Sequence, residues 1–211
     1  MEYNIVYDYI ADKILNDINA GVLINSDLAR ELNKYPIIDQ IRNQVQDNHF
    51  SAIARLVTDE ASSREVRLFA LCLLHKYIRN NTFGPQVKSL LYDIWKQGDT
   101  EEKFHVMWRL MDFADLEEPL HNEMFEFVKN NKELTLSKTL NWCGSEDKIL
   151  DYAVSRLHNQ SFPEAKAWIY LYIGSLSPNK TEARTLMSKY LDCRQSFVRK
   201  VANEMLRKGE L

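Results

Sequence analysis

The chain has 211 residues, of which 45% are hydrophobic, 27% charged and 11% aromatic. This composition is typical of a globular protein and excludes a disordered chain. With only six glycines and five prolines, about half of the average share, the sequence disfavours an all-β fold, which needs many turns. The net charge of −3 argues against a nucleic-acid-binding protein of the usual basic type.

Nothing in the sequence predicts export or membrane insertion. Its start is polar, and no stretch approaches the roughly 18 consecutive apolar residues of a membrane-spanning helix. The three cysteines show no Cys-x-x-Cys spacing, which is typical of reduced, buried thiols. We therefore expect a cytoplasmic protein without membrane contact.

The N-terminal segment, 1–48, predicts short helices without a regular spacing. A first helix is expected to end near Gly21, a second to span 27–34 ahead of Pro36, and a third to lie over 38–45. Repeat arrays need atypical ends with one polar face, so this segment is predicted to be a divergent helical cap.

Beyond the cap, one helical pattern recurs. Each segment carries apolar residues at the third, fourth and seventh positions after its start, with Thr139 as the exception. That spacing predicts a helix with one buried face. The five segments start at Val66, Phe104, Leu136, Ala165 and Val198.

A second set of apolar stripes lies between these segments, and short turns are expected to join the two sets. The stripes contain Ile53 and Val57; Val87, Leu90, Leu91, Ile94 and Trp95; Leu120, Met124, Phe127 and Val128; Leu150, Ala153, Val154 and Leu157; and Ala183, Leu186, Met187, Tyr190 and Leu191. Two helices in every 33 residues or so indicate repeats. The sequence predicts an all-α fold: a right-handed α-α superhelix, or α-solenoid, of about five helical pairs over 49–208, within a single domain spanning 1–211.

Helix starts carry recognisable signals. In a capping box the first side chain accepts a hydrogen bond from a backbone N–H, and the later carboxylate accepts one in return. Four such pairs are Ser62 with Glu65, Asp99 with Glu102, Ser161 with Glu164, and Asn179 with Glu182.

Two stretches resemble the second-helix motif of HEAT repeats. They are Val66-Arg67-x-x-Ala70-x-x-x-Leu74 and Val198-Arg199-x-x-Ala202-x-x-x-Leu206. The resemblance covers about 49–208. It implies that the second helices line a concave surface, where a protein or peptide binds without catalysis.

Candidate binding residues follow from this resemblance and from the stripes. Aromatic residues off the stripes are candidates for exposed anchors. The candidates are Arg67, His105, Arg109, Trp142, Lys166, Tyr170 and Arg199. An alternative interpretation is that Arg67 and Arg199 only pair with carboxylates of the turns and stack the repeats.

Residues 64–77 and 197–207 are also similar to helices of HEAT-like DNA-alkylation-repair glycosylases. That family carries an aromatic pair followed by a catalytic Asp, which 98–103 lacks. Trp108 with Asp112 is the nearest equivalent. This second resemblance implies an alternative function, nucleic-acid binding or DNA repair with or without glycosylase activity, and it assigns Arg109, Lys166 and Arg199 to phosphates.

Other chemistry is not indicated. The five histidines are far apart in sequence, no Gly-rich phosphate loop is present, and Cys143 falls at a predicted core position. We therefore expect no metal and no cofactor, and a binding protein is favoured over an enzyme.

Charge is distributed unevenly. Residues 91–133 contain eleven acidic and five basic residues, a net charge of −6, whereas 179–208 contain eight basic and three acidic residues, a net charge of +5. The acidic corner Asp112, Asp115, Glu117 and Glu118 is predicted to be a solvated turn. The basic end is expected to contact an acidic partner, to serve as a solvated cap, or to join an acidic patch on a second copy.

Overall fold

A computed structural model describes residues 2–22, 24–34, 37–113, 116–158 and 166–207, with side chains from residue 8 onward. Within these ranges the secondary structure is helical, without strands, which confirms the predicted all-α class. The thirteen α-helices described are α1 (Glu2–Asn19), α2 (Ser26–Leu32), α3 (Ile37–Gln44), α4 (Phe50–Thr58), α5 (Arg64–Leu74), α6 (Gly84–Gln97), α7 (Thr100–Leu110), α8 (Glu118–Asn130), α9 (Lys132–Cys143), α10 (Ile149–Leu157), α11 (Ala167–Ser175), α12 (Lys180–Ser188) and α13 (Ser196–Arg207).

The order of helices follows the predicted alternation. The repeated segments fall in α5, α7, α9, α11 and α13, and the interleaved stripes fall in α4, α6, α8, α10 and α12. Ala165, the predicted start of one segment, lies outside the described residues. Consecutive helices pack together as α4 with α5, α6 with α7, α10 with α11, and α12 with α13.

The chain divides into two compact units, Met1–Phe113 and Ala114–Leu211. In the first unit the predicted cap contacts the predicted repeat region: α1 packs on α3 and α4, and α2 and α3 pack on α5. The single domain over 1–211 and its boundary at residue 48 stay predictions.

The core of the first unit is built around α5. All residues from Val66 to Leu74 are buried except Arg67 and Cys72, because α2, α3, α4 and α7 surround this helix. Burying one large apolar side chain contributes roughly 1.5–3 kcal/mol, so the buried residues of α5 contribute strongly to the stability of this unit.

The core of the second unit is built around α11. Every residue from Trp168 to Ser175 is buried, and α9, α10, α12 and α13 all contact this helix. The ring of Trp168 meets Phe125 and Phe197 edge-on, with centroids 5.8 and 5.7 Å apart, a geometry that aromatic quadrupoles favour.

Side chains cap the starts of several helices, and at one of them the capping residue differs by one position from the prediction. Both bonds of the capping box at Asp99 are present, and Asn179 accepts from the N–H of Glu182, as predicted. The cap of α5 is Ser63 and not the predicted Ser62. The predicted box of Ser161 with Glu164 lies outside the described residues.

Gly21 ends α1, as predicted. Its φ is 75°, a left-handed conformation that costs an L side chain energy but not glycine. The N–H of Gly21 donates to the carbonyl of Ile18 and that of Val22 to the carbonyl of Asp17, which is the Schellman pattern.

Candidate functional site

The first unit contains an open groove of about 470 Å³. Helices α4, α5 and α6 supply its apolar lining, which we call the floor, and the loop after α4 and the start of α7 supply polar groups. We call it the Arg67 groove. Its lining residues are Val57, Thr58, Asp59, Glu60, Arg67, Leu71, Leu90, Asp93, Ile94, Gln97, Gly98 and Glu102.

Arg67 is held rigidly in this groove. Its Nε donates to Oε1 of Glu102 at 2.6 Å, and its Nη1 donates to the carbonyl of Ser62 at 2.7 Å. Glu102 is buried, and its other oxygen, Oε2, accepts from the N–H of Asp99 at 3.0 Å. The guanidinium therefore links the N-terminal turns of α5 and α7, and its charge is neutralised by Glu102.

Three carboxylates remain around the groove. Asp93 and Glu60 are exposed and Asp59 is half-buried. Because Glu102 already neutralises Arg67, the rim carries a net negative charge. Cationic side chains are the complementary partners for such a rim.

The floor of the groove is apolar and in part accessible. Leu90 and Ile94 were both predicted to be core residues, but they are only half-buried, whereas Val87 and Leu91 of the same helix are fully buried. The apolar stripe of α6 is thus wider than its packing against α7 requires. Apolar surface beside charged groups is the usual composition of a protein-binding site.

Sequence reasoning found Arg67 but missed the other groove residues. Asp59, Glu60 and Asp93 are ordinary surface carboxylates by sequence. The width of the stripe through Leu90 and Ile94 was the one signal that could have marked the site.

Arg109 is hydrogen-bonded within the first unit, and one of its acceptors is the backbone carbonyl of His105. Arg109 donates from Nε to the carbonyl of Leu71 at 3.0 Å, from Nη1 to the carbonyl of His105 at 3.0 Å, and from Nη2 to Sγ of Cys72 at 2.9 Å. One of these acceptors, the Leu71 carbonyl, belongs to the last turn of α5, where carbonyls lack partners within the helix. Arg109 thereby joins α7 to α5.

In the second unit, two candidates are not accessible. Lys166 and Tyr170 were predicted to lie on the binding surface, but each is only 4% exposed. The reason is that α11 is enclosed by four helices, so positions outside its predicted stripe are buried as well. The expectation of accessible side chains at these two positions is wrong.

Trp142 and Arg199 remain at the surface. Trp142 is 44% exposed, as predicted, with its ring centroid 6.1 Å from that of Tyr152. Arg199 is half-buried, and its Nη1 donates to the carbonyls of Cys193 and Arg194 at 2.5 and 2.9 Å. Arg199 therefore braces the turn before its own helix.

The predicted pair Trp108 and Asp112 straddles the end of α7. Trp108 is half-buried, with its ring centroid 6.3 Å from that of Phe104. Asp112 lies beyond the helix, and its Oδ2 is 3.4 Å from Nδ1 of His75. Asp115, from the predicted acidic corner, lies outside the described residues.

Cysteine burial differs from expectation. The three free thiols are half-buried, whereas the sequence predicted buried ones; they are Cys72, Cys143 and Cys193. Cys143 lies in the last turn of α9, where its Sγ donates to the carbonyl of Ser145 at 3.2 Å.

Among the described residues, no group of three or more His, Cys, Asp or Glu side chains could hold a metal ion. Over the same ranges, no helix has both the length and the apolar character needed to cross a membrane. The chain has no match among family models, curated proteins or solved structures. The fold of the described residues places the protein in the all-helical class.

Proposed function

We propose that the protein is a non-catalytic binding module whose Arg67 groove takes a peptide or protein segment with apolar and basic side chains. The observation that carries this proposal is the combination of half-buried Leu90 and Ile94 with a carboxylate rim. An apolar side chain of the ligand would lie on the floor, and flanking lysines or arginines would face Asp93 and Glu60.

We propose further that α4–α13 form the predicted HEAT-like solenoid of about five helical pairs. The order of the helices and the packing of consecutive helices support it. We also propose a cytoplasmic location. The three free thiols support it, because disulfides form mainly in oxidising compartments.

The alternative, a nucleic-acid-binding or DNA-repair protein, has less support. Of the residues assigned to phosphates, Lys166 is buried, and Arg109 and Arg199 donate to carbonyls within the fold. These cations are therefore engaged or enclosed, which favours the peptide-binding function.

Fluorescence anisotropy with labelled peptides tests the proposed function. One peptide set carries a leucine between lysines, and a second set has the same apolar residues between glutamates. We expect saturable binding of the basic set alone. The D93K variant should weaken that binding about threefold to tenfold, because an attraction at the rim becomes a repulsion.

The matched control is D12K, since Asp12 is an exposed carboxylate on α1 of the same unit and its replacement changes the net charge equally. D12K should leave the affinity unchanged. Equal binding of both peptide sets, or equal losses in D93K and D12K, would refute the groove as the binding site.

A further inference from the structure

A second cavity in the first unit, of about 320 Å³, has the opposite charge. Its volume is at the lower end of the roughly 300–1,000 Å³ typical of small-molecule sites. We call it the Arg79 cavity. It is lined by Arg42, Asn43, His75, Lys76, Ile78, Arg79 and Asp112.

Three permanent cations line this cavity against one carboxylate. Arg42 is held by an ion pair, with Nη2 2.6 Å from Oδ1 of Asp39. Asp112 lies beside His75 and is only 13% exposed. Within the described residues, the side chains of Lys76 and Arg79 make no hydrogen bond or ion pair, so two cations remain for a ligand.

The segment that carries these cations is firmly anchored. His75–Tyr77 form a short 3-10 turn directly after α5. Tyr77 is buried, its hydroxyl donates to the carbonyl of Gln46 at 2.5 Å, and its ring packs edge-on against Phe50. Ile78 is also buried. A rigid base reduces the entropy cost of ordering Lys76 and Arg79 around a ligand.

The end of α5 would by itself repel an anion, because helix C-termini carry partial negative charge. Here two carbonyls of the last turn accept hydrogen bonds, that of Leu71 from Arg109 and that of Leu73 from the N–H of His75. Among the lining residues the three permanent cations outnumber the one carboxylate, that of Asp112.

We propose that the Arg79 cavity binds a phosphate dianion, either inorganic phosphate or the phosphoryl group of a monoester. Such a group carries a charge of about −1.5 to −2 near neutral pH and three strong acceptor oxygens. Arginine and lysine are the side chains that best satisfy these oxygens. The proposal is independent of the peptide-binding function, since the two cavities share no lining residue.

NMR titration of the full chain tests the proposal, with the ring signals of His75 as a local reporter. Sodium phosphate, O-phosphoserine and dimethyl phosphate are added separately at ionic strength held constant with sodium chloride. We expect saturable shifts with the first two probes. The diester should bind more weakly, because it carries a single negative charge.

The two sources of phosphate give distinct results. Tighter binding of O-phosphoserine identifies a phosphorylated ligand, and equal or tighter binding of sodium phosphate identifies the free anion. The variants K76Q and R79Q should each raise the dissociation constant about tenfold, because each removes a charge-assisted hydrogen bond.

The matched control is K96Q, because Lys96 is an exposed lysine on α6 of the same unit. It should bind phosphate as the wild type does. Thermal unfolding of all three variants verifies that they fold. The absence of a saturable shift in the wild type, or an equal loss in K96Q, would overturn the proposal.

Discussion

Two arginines at equivalent positions of the predicted segments have the same structural task. Arg67 and Arg199 each follow the first residue of a predicted segment, and each donates to a carbonyl five residues earlier, of Ser62 at 2.7 Å and of Arg194 at 2.9 Å. Both therefore fasten a helix to the turn that precedes it. Pairing with a carboxylate, which the alternative interpretation predicted for both, is present at Arg67 through Glu102, whereas the contacts of Arg199 are with carbonyls. That the two arginines stack repeats stays a prediction.

Arg67 should matter for stability as well as for the groove. In R67M, the buried carboxylate of Glu102 loses its cation and the carbonyl of Ser62 loses its donor. We expect a loss of about 2 kcal/mol in the free energy of unfolding. Urea denaturation of the variant and the wild type measures it.

A double-mutant cycle with E102Q separates the interaction energy of Arg67 with Glu102 from the other effects of each substitution. Glutamine can still accept from the N–H of Asp99, so the cap of α7 is retained. The double variant should be more stable than the sum of the two single losses predicts, by about 1 kcal/mol. Strict additivity would contradict the ion pair.

A buried histidine makes the second unit sensitive to acid. His121 lies in the aromatic core, where its ring stacks on Phe197 with centroids 5.4 Å apart and its Nδ1 accepts from Nε1 of Trp168 at 3.2 Å. Burial lowers the pKa of His121, and the nearby carboxylate of Glu118 opposes this effect only in part. The folded state thus favours the neutral ring.

A histidine with a lowered pKa contributes stability above its unfolded-state pKa of about 6.5, and that contribution is lost as the pH falls below this value. We expect the free energy of unfolding to decrease below pH 6.5, with a slope from this group of at most about 1.4 kcal/mol per pH unit. Urea denaturation between pH 5 and 8 measures the slope.

H121Q is the control for this pH dependence, since glutamine can accept the bond from Trp168 but does not titrate. Burial also lowers the pKa of His49 in the first unit, so a smaller slope should persist in H121Q. An unchanged slope in H121Q would contradict the role of His121.

At the scale of elements, burial depends on how many neighbours surround a helix. The stripe predicted for α9 placed Leu136 and Leu140 in the core, yet both are half-buried, while Thr135 and Thr139 are fully buried. Each threonine hydroxyl donates to a backbone carbonyl four residues earlier, of Asn131 and Thr135 respectively. A helix can bury threonines at little cost when its own carbonyls accept their hydroxyls.

The capping box at the start of α7 offers a test of element stability. Asp99 accepts from the N–H of Glu102 at 2.8 Å, and Glu102 accepts from the N–H of Asp99 at 3.0 Å. D99A removes the first bond and should reduce the free energy of unfolding by about 1 kcal/mol.

Chemical denaturation compares D99A with D27A, a matched acidic residue in the first turn of α2. Asn25, and not Asp27, caps that helix, so D27A should cost less than about 0.5 kcal/mol. Equal losses in the two variants would show that charge near the helix start matters and that the capping bond does not.

For the whole molecule, net charge is a poor guide to the sites. The chain is slightly acidic, yet the first unit contains one groove rimmed by carboxylates and one cavity lined by cations. Part of the basic C-terminal end is engaged within the fold, since Arg199 donates to the carbonyl of Cys193 and Lys180 donates to the carbonyl of Ser175 at 3.1 Å. Whether a site is acidic or basic depends on which charged side chains the fold brings together, and not on the net charge of the chain.

The sequence by itself determined the helical class, the order of the helices and a few of their ends. These features depend on apolar spacing and on side chains that bond to the backbone three residues away, as at Asp99 and Asn179. Such interactions span one or two helical turns, so the linear order of residues contains them.

Only the tertiary structure decided which residues are accessible and which meet. Tyr170 is buried because four helices contact α11, Lys166 is buried directly before that helix, and Leu90 of α6 is only half-buried although α6 packs on α7. Glu102 meets Arg67 across 35 residues of chain. Burial and long-range pairing depend on the three-dimensional arrangement of neighbouring helices, which the spacing within a single helix does not specify.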